Sequence, residues 1–477
     1  VSTFSGLNTA YTGLVAARQG LNVVGQNIAN ANTEGYTRQR VSTSSIGALE
    51  RTGLLTGGVQ IGQGVSVDAI ARLGDMHLDT RVRFSAGVAG YAAVRANTMS
   101  GLEASLREPG EQGISTRLQE FWATWQDLSN RPDDPAAGGA VLEEANILAN
   151  MIKRGYQEVR EQFSRLSTNV DTMAAEVNGT ASQIASLNEK IRFAVANGGS
   201  ANELMDHRNL LTERLSALTG ATVRQGTDGQ VDVLIGGNAI VTGSSAQRVA
   251  VAPGSDTDIS GTNGVQLVWE NPSRAGMPVV LEGGEIAGAL SMLSGTDGGP
   301  LRIAANDYNA FAVKLADAVN GLHASGTTAD GSTGIDFFSY DTDAAGNPVN
   351  AALSLTVVVD DVKNLASAAA GAGSLDGSIA DKISQLGIGA NSPDRFWENI
   401  VTKIGVAAKT ELQQANLADI ASQSAKSLQI SNASVDLDEE NVNLLSYQHA
   451  YQGAARVMTA IDEMLDTLIN RTGLVGR

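Results

Sequence analysis

Leu444, Tyr447, Tyr451, Ala454, Met458, Ile461, Leu465 and Leu468 follow one another at unbroken alternating steps of three and four residues over more than three heptads. That spacing holds one apolar stripe on a single helix face, a seam that a lone helix in water cannot bury. Asp436 followed three residues later by Glu439 has the form of a capping box, and Glu440 adds negative charge at the positive end of the helix. The stretch from Asn470 to Gly473 supplies the stop.

The opposite end repeats the device. Phe4, Leu7, Tyr11, Leu14, Leu21 and Ile28 lie on the same alternating steps, with Arg18 and Gly25 in the two remaining positions. Ser2 or Thr3 caps the start, and Asn30, Asn32 and Gly35 end a helix on the order of 40 Å long. Two amphipathic helices at opposite ends of one chain, each with an orphan seam, satisfy one another and also further copies of the molecule. The termini therefore read as assembly elements whose ordering is coupled to packing.

Between them the texture alternates. Residues 41–75 read as strand and loop, with Val59, Ile61, Val65 and Val67 as strand candidates, and helices resume near Asp75. From Val141 to Ala194 apolar residues hold heptad positions, interrupted at Thr180, which predicts one very long helix. A helix carrying Leu118, Phe121, Trp125 and Leu128 precedes it and stops at Asn130-Arg131-Pro132; another with Leu204, Leu211, Leu215 and Leu218 follows. From Gly220, short Val/Ile runs separated by Gly, Asp and Asn read as strands. Helical periodicity returns over 286–322, gives way to a strand-like Leu353 to Val359, and resumes near Ile379.

The expected architecture is multidomain and mainly α. The terminal helices, 1–40 with 436–477, pair as a coiled coil; a long-helix bundle body takes 41–219 with 284–327 and 376–435; an inserted outer β domain takes 220–283, and a small strand and loop insertion takes 328–375.

Composition narrows the chemistry. A net charge of −18 opposes neutralisation of nucleic-acid phosphates. With no cysteine there is neither disulfide nor thiolate. No run reaches the roughly 20 apolar residues of a membrane span, and no cleavable secretory signal is expected. His77, His207, His323 and His449 stand singly, so no zinc pair is expected. Asp341-x-Asp343-x-x-Gly346 and Asp256-x-Asp258 resemble calcium loops only superficially, because Ala352 occupies the twelfth position. Neither catalytic residues, cofactor nor metal is expected.

The block from Leu7-Asn8-Thr9-Ala10 through Gly13-Leu14, Leu21-Asn22-Val23 and Asn27-Ile28-Ala29-Asn30 to Asn32-Thr33-Glu34-Gly35-Tyr36 resembles the N-terminal motif of flagellar rod, hook and hook-associated proteins. Its continuation, Tyr36-Thr37-Arg38-Gln39-Arg40-Val41, is similar to the version in hook–filament junction subunits of that family. The run Val435 to Glu440, with Leu444-Leu445, Tyr447-Gln448 and Asp462 to Leu468, resembles the family's C-terminus, and Glu203 to Leu211 the helix before its outer β domain.

The resemblance implies a secreted structural adaptor subunit, exported by the flagellar type III apparatus, lying between hook and filament. Implied partners are copies of itself, the flagellar hook protein, the second hook–filament junction protein (hook-associated protein 3), and a cytoplasmic export chaperone at the Tyr447 to Leu468 seam. Asn27, Asn30, Asn32, Gly35, Tyr36, Arg38 and Gln39 are its motif residues here. The alternatives are a hook or rod axial subunit, or an axial subunit displaying an adhesive or hydrolytic outer domain.

Overall fold

The computed structural model describes residues 3–47, 62–226, 228–255, 258–261, 263–295, 298–373 and 375–471, and within them the protein is mainly α. It opens with α1 (Thr3–Ala29) and an antiparallel ribbon, β1 (Gln39–Ser45) with β2 (Val65–Arg72). Helices α2 (Met76–Leu106), α3 (Ile114–Asn130), α4 (Pro135–Ala196) and α5 (Asn202–Thr219) follow. Next come β3 (Thr222–Gln225), β4 (Val231–Ile235), β5 (Asn238–Thr242) and β6 (Ser245–Ala246), one antiparallel sheet in that order, and the pair β7 (Val249–Val251) with β8 (Leu267–Trp269). Helices α6 (Gly284–Leu293) and α7 (Pro300–His323) lead into an excursion holding β9 (Gly326–Thr328), β10 (Phe338–Ser339), α8 (Ala351–Ser354), β11 (Thr356–Val357) and β12 (Ala366–Ala369). There β9 pairs with β12 and β10 with β11. The chain ends in α9 (Ser378–Ser384), α10 (Pro393–Ala433) and α11 (Leu437–Asp466).

The helix starts follow local chemistry. Asp75 accepts from the amides of His77 and Leu78 at the head of α2, Asp134 from Ala136 before α4, and Ser392 from Arg395 before α10. Pro135 and Pro393 occupy first-turn positions, where a missing N–H costs nothing. Asp436 caps α11 through the amides of Asp438 and Glu439, but the Glu439 side chain turns to Arg38 rather than closing a capping box.

The spine is α4, 62 residues without a break; Thr180 is buried within it rather than interrupting it. Its inward row Val141, Ile152, Tyr156, Val159, Phe163, Val170, Val177 and Ile184 joins one continuous core with Phe121 and Trp125 of α3, Tyr308 and Phe311 of α7, and Trp397 of α10. The strands after Gly220 bury Val233, Ile235, Ile240, Val249, Leu267 and Trp269 in that same core. Two asparagines of α4 pin them there. Asn178 donates to the Val249 carbonyl and accepts from its amide (2.8 and 2.9 Å), and Asn188 does the same for Val231 (2.7 and 3.2 Å). Each carboxamide thus stands where a neighbouring strand would put its peptide group.

Several expectations change in detail. The periodicity over 286–322 belongs to two helices, α6 and α7, and the strand expected over 353–359 is only Thr356–Val357, because Leu353 and Ser354 close the turn of α8. Val59, Ile61, Asp256 and Gly473 lie outside the described residues. Asp343 spends its carboxylate on the amides of Ala345 and Asn347 and on the Asn347 side chain, which makes 341–349 a hairpin turn. Among the described residues no helix is long and apolar enough to cross a membrane.

Candidate assembly site

α1 lies antiparallel along α11, and every advance on one helix is matched by an equal retreat on the other: Gly6 faces Ile461, Gly20 faces Tyr447, and Asn27 meets Glu440. The row on α1 turned toward α11 is Gly6, Ala10, Ala17, Gly20, Val24 and Asn27, spaced by alternating four and three residues once Gly13, which has open space beside it, is counted in the pattern. Of these, Ala10, Ala17, Gly20, Val24 and Asn27 are buried. Small residues let the backbones approach: a Cβ placed on Gly20 would sit 2.5 Å from the Tyr447 ring.

The large row, Phe4, Leu7, Tyr11, Leu14, Leu21 and Ile28, is the neighbouring stripe. Phe4 and Tyr11 are 68% and 55% exposed, and Leu7, Leu14, Leu21 and Ile28 are half-buried. On α11, Ile461 is buried; Leu444, Tyr447, Met458 and Leu465 are half-buried; Tyr451 is 38% exposed, and Leu468, in the π-helical turn after α11, is 52% exposed. Tyr447 and Ile461 of the C-terminal row therefore face α1, and the N-terminal residues that meet them are small ones, Gly20 and Gly6. Only Glu440 and Ile461 of the 30 residues of α11 are fully buried, so the pair carries apolar surface beyond what it covers itself.

Gly20→Leu tests this pairing. Leucine is the better helix former, so any loss comes from the contact; overpacking should cost about 1–3 kcal/mol. Faster amide exchange around Tyr447 is expected, with recovery in Gly20→Leu/Tyr447→Ala; unchanged exchange would remove Tyr447 from the interface.

Where the pair joins the body, the motif residues converge on Asn27, which is 1% exposed. Its Oδ1 accepts from Tyr36 Oη (2.9 Å) and the Gln39 amide (3.0 Å); its Nδ2 donates to the Gln39 carbonyl (2.9 Å) and Glu440 Oε2 (3.1 Å). Every hydrogen-bonding site on the carboxamide is used. Arg38 then clamps the head of α11: Nε lies 2.8 Å and Nη2 2.7 Å from Glu440 Oε1, and Nη1 lies 2.6 Å from Glu439. Its own amide donates to the Ala433 carbonyl at the end of α10. Gln39 bridges to α5 through Glu203 and Asn202, while Asp206 accepts from the Thr37 amide and from Arg72. Asn30 bonds Gln26 and Thr33 and so turns the chain out of α1. Gly35, at φ +76°, brings its backbone onto Leu210, where a Cβ would sit 2.6 Å from the side chain.

Burial and the carboxylates Glu203, Asp206 and Glu440 push the Tyr36 phenol up to about 12, so it is a neutral donor to Asn27. Burial alone would lower Arg38, but its bonds to Glu439 and Glu440 carry it above its ordinary value. Burial raises Asp206, with Arg72 working against it. Beside this hub is a cavity of about 330 Å³ between residues 31–37, α5 and α10, into which exposed Asn32 and Glu34 face along with the Lys426–Glu213 ion pair. Among the described residues no group of three His, Asp or Glu side chains could hold a metal. The arrangement is a fully bonded mechanical joint between two paired helices and a body.

These features define a class of protein. Residues 7–37 match the family model for the flagella basal body rod protein and 426–471 that for the flagellar basal body rod FlgEFG protein C-terminal, the two ends that form the pair. Residues 99–338, half of the chain, match the flagellar hook-associated protein FlgK helical domain.

The chain therefore belongs to the flagellar hook-associated protein 1 (FlgK) family. It is 28% identical to flagellar hook-associated protein 1 of Bacillus subtilis over 515 aligned positions, covering all of both chains. It is 32% identical to that of Salmonella typhimurium over 365 positions, 75% of this chain and 64% of that protein. The fold matches the structure of the flagellar hook junction protein FlgK from Burkholderia pseudomallei with a TM-score of 0.63 at 15% identity, over 74% of this chain and all of that one. The protein is a structural component of the bacterial flagellum at the hook–filament junction, outside the cell.

Proposed function

We propose that the chain polymerises through the α1–α11 pair, an antiparallel two-stranded coiled coil with an inner seam of small residues and an outer seam left for other subunits. The observation that carries this reading is that Phe4, Leu7, Tyr11, Leu14, Leu21 and Ile28 keep helical periodicity while none of the six is fully buried in the single chain and Phe4 and Tyr11 are mostly exposed. Tyr451 and Leu468 extend that surface on the second helix. Periodic apolar residues on an exposed helix face need a protein cover.

In this reading copies of the chain form a short zone between the flagellar hook protein and hook-associated protein 3, matching the flexible hook to the stiffer filament. The subunit reaches that place through type III export, and before export a cytoplasmic chaperone covers the stripe from Tyr447 to Leu468. The scant burial on α11 supports this, because a helix so little packed leaves apolar surface for a partner to cover. The β-rich segment is an outward-facing region inserted in a helical body, and the role is mechanical, without catalysis.

The double variant Phe4→Asp/Tyr11→Asp separates assembly from folding. Both side chains are exposed in the subunit, so its thermal unfolding should stay within about 0.5 kcal/mol of wild type, while incorporation at hook tips should be lost. Normal junctions in cells carrying only this variant would overturn the outer seam.

A further inference from the structure

We propose that His323 is an acid-sensitive latch that fastens the excursion between α7 and α9 to the helical body.

The ring is fully buried at the end of α7 and is held from both sides by backbone groups of two separate segments. Nδ1 lies 2.7 Å from the Ile335 carbonyl oxygen, and Nε2 accepts from the Ala366 amide at 3.0 Å. A carbonyl oxygen requires a proton on Nδ1; an amide N–H requires a lone pair on Nε2. Only the neutral Nδ1–H tautomer satisfies both. A second proton would set Nε2–H against the Ala366 N–H and cost the bond that holds the start of β12, which loosens the β9–β12 pair at that end.

The surroundings give that proton little relief. From α3 the ring meets Trp125 edge-on at 6.2 Å, and from the segment before β10 it meets Phe337 at 5.5 Å. Burial lowers its proton affinity, with the Ile335 carbonyl and the charge of Asp336, the charged side chain that acts on it, pulling weakly the other way. The carboxylates beside the two strands are committed elsewhere: Asp330 to Thr328 and Ser332, Asp376 to Ala369 and Ser378. Those bonds hold both below the ordinary carboxylate range, so neither takes up a proton in mild acid. His77, His207 and His449 are exposed, which leaves His323 as the buried histidine.

The sign follows from the lowered value. Above the ordinary histidine value of 6.5 the closed form is unaffected. As pH falls below it, the open segment binds the proton and the closed form does not, so the closed-to-open ratio drops about tenfold per pH unit until the closed-state value is reached. Opening uncovers Trp125, Phe337 and Phe338, an aromatic cluster buried at neutral pH.

The test is amide exchange of residues 326–328 and 366–369 in the full chain between pH 7.5 and 5, corrected for the intrinsic rate, together with the imidazole nitrogen shifts of His323. The expected result is a closed-state Nδ1–H tautomer and opening that rises about tenfold per unit below 6.5. His323→Gln, which keeps one bond but cannot be protonated, should lose the slope; should that variant not fold, the wild-type shifts and exchange still decide. Opening that is flat in pH, an equal slope in folded His323→Gln, or an Nε2–H tautomer would overturn the latch.

Discussion

Arg38→Met should uncouple α11 from the body at a cost of about 3–5 kcal/mol, because it leaves the Glu440 carboxylate buried with only Asn27 to bond it. Glu440 is 1% exposed, so water cannot replace the guanidinium without the joint opening. The loss should be local: amides of the first turns of α11 exchange faster while those of α4 do not change. Substituting both partners, Arg38→Met with Glu440→Met, should recover a good part of the loss, since no charge is then stranded. Equal exchange in Arg38→Met and wild type would mean that the clamp holds nothing.

Asn188→Leu should be the comparable change within the body. Asn188 is fully buried and satisfies Val231 on both sides, the Gly243 carbonyl (2.7 Å) and Arg208 Nη1 (2.9 Å). Leucine leaves these groups without their partner; at about 1–3 kcal/mol per stranded buried group, the loss should be on the order of 4 kcal/mol. Arg208 sharpens the effect. It is buried without a carboxylate, burial and nearby Arg72 lower its pKa to about 10, and only the Gly229 carbonyl would remain to it. Asn178→Leu, at the half-buried pin, should cost clearly less, and thermal unfolding of the two variants gives the order directly. Similar values would show that burial at Asn188 adds nothing.

The starts of α2 and α11 were legible because their determinants are local: Asp75 and Asp436 accept amides two or three residues ahead, whereas Asp134 and Ser392 do the same for α4 and α10 without standing where the apolar repeat places a start. The long run of α4 was legible for the same reason, its core face repeating at helical spacing. The face of α1 that meets α11 was harder to see. Periodicity weights large apolar side chains, and so it selects Phe4, Leu7 and Tyr11; the small row Gly6 to Asn27 gains its meaning only with Tyr447 and Ile461 opposite. Resemblance picked out Asn27, Tyr36, Arg38 and Gln39 as a motif, but what they do depends on Glu440, 413 positions from Asn27. The amide pins of α4 left no signal, since an isolated asparagine in a helical pattern reads as a solvated residue. Their presence also changes what the strands can tolerate. Removing 221–283 would bare Val170, Val177 and Ile184 of the common core, so that deletion tests folding before it tests display.

The claim that the terminal helices are assembly elements is tested most directly by amide hydrogen exchange along α1 and α11, measured in the soluble subunit and in reconstituted hook–junction assemblies. With two buried residues on α11 against 23 on α4, the end of the pair away from the Arg38 clamp, the first turns of α1 and the last turns of α11, should exchange rapidly in the subunit while α4 stays protected, and should become protected in the assembly. Terminal helices already as protected as α4 in a monodisperse subunit, and unchanged on assembly, would contradict it.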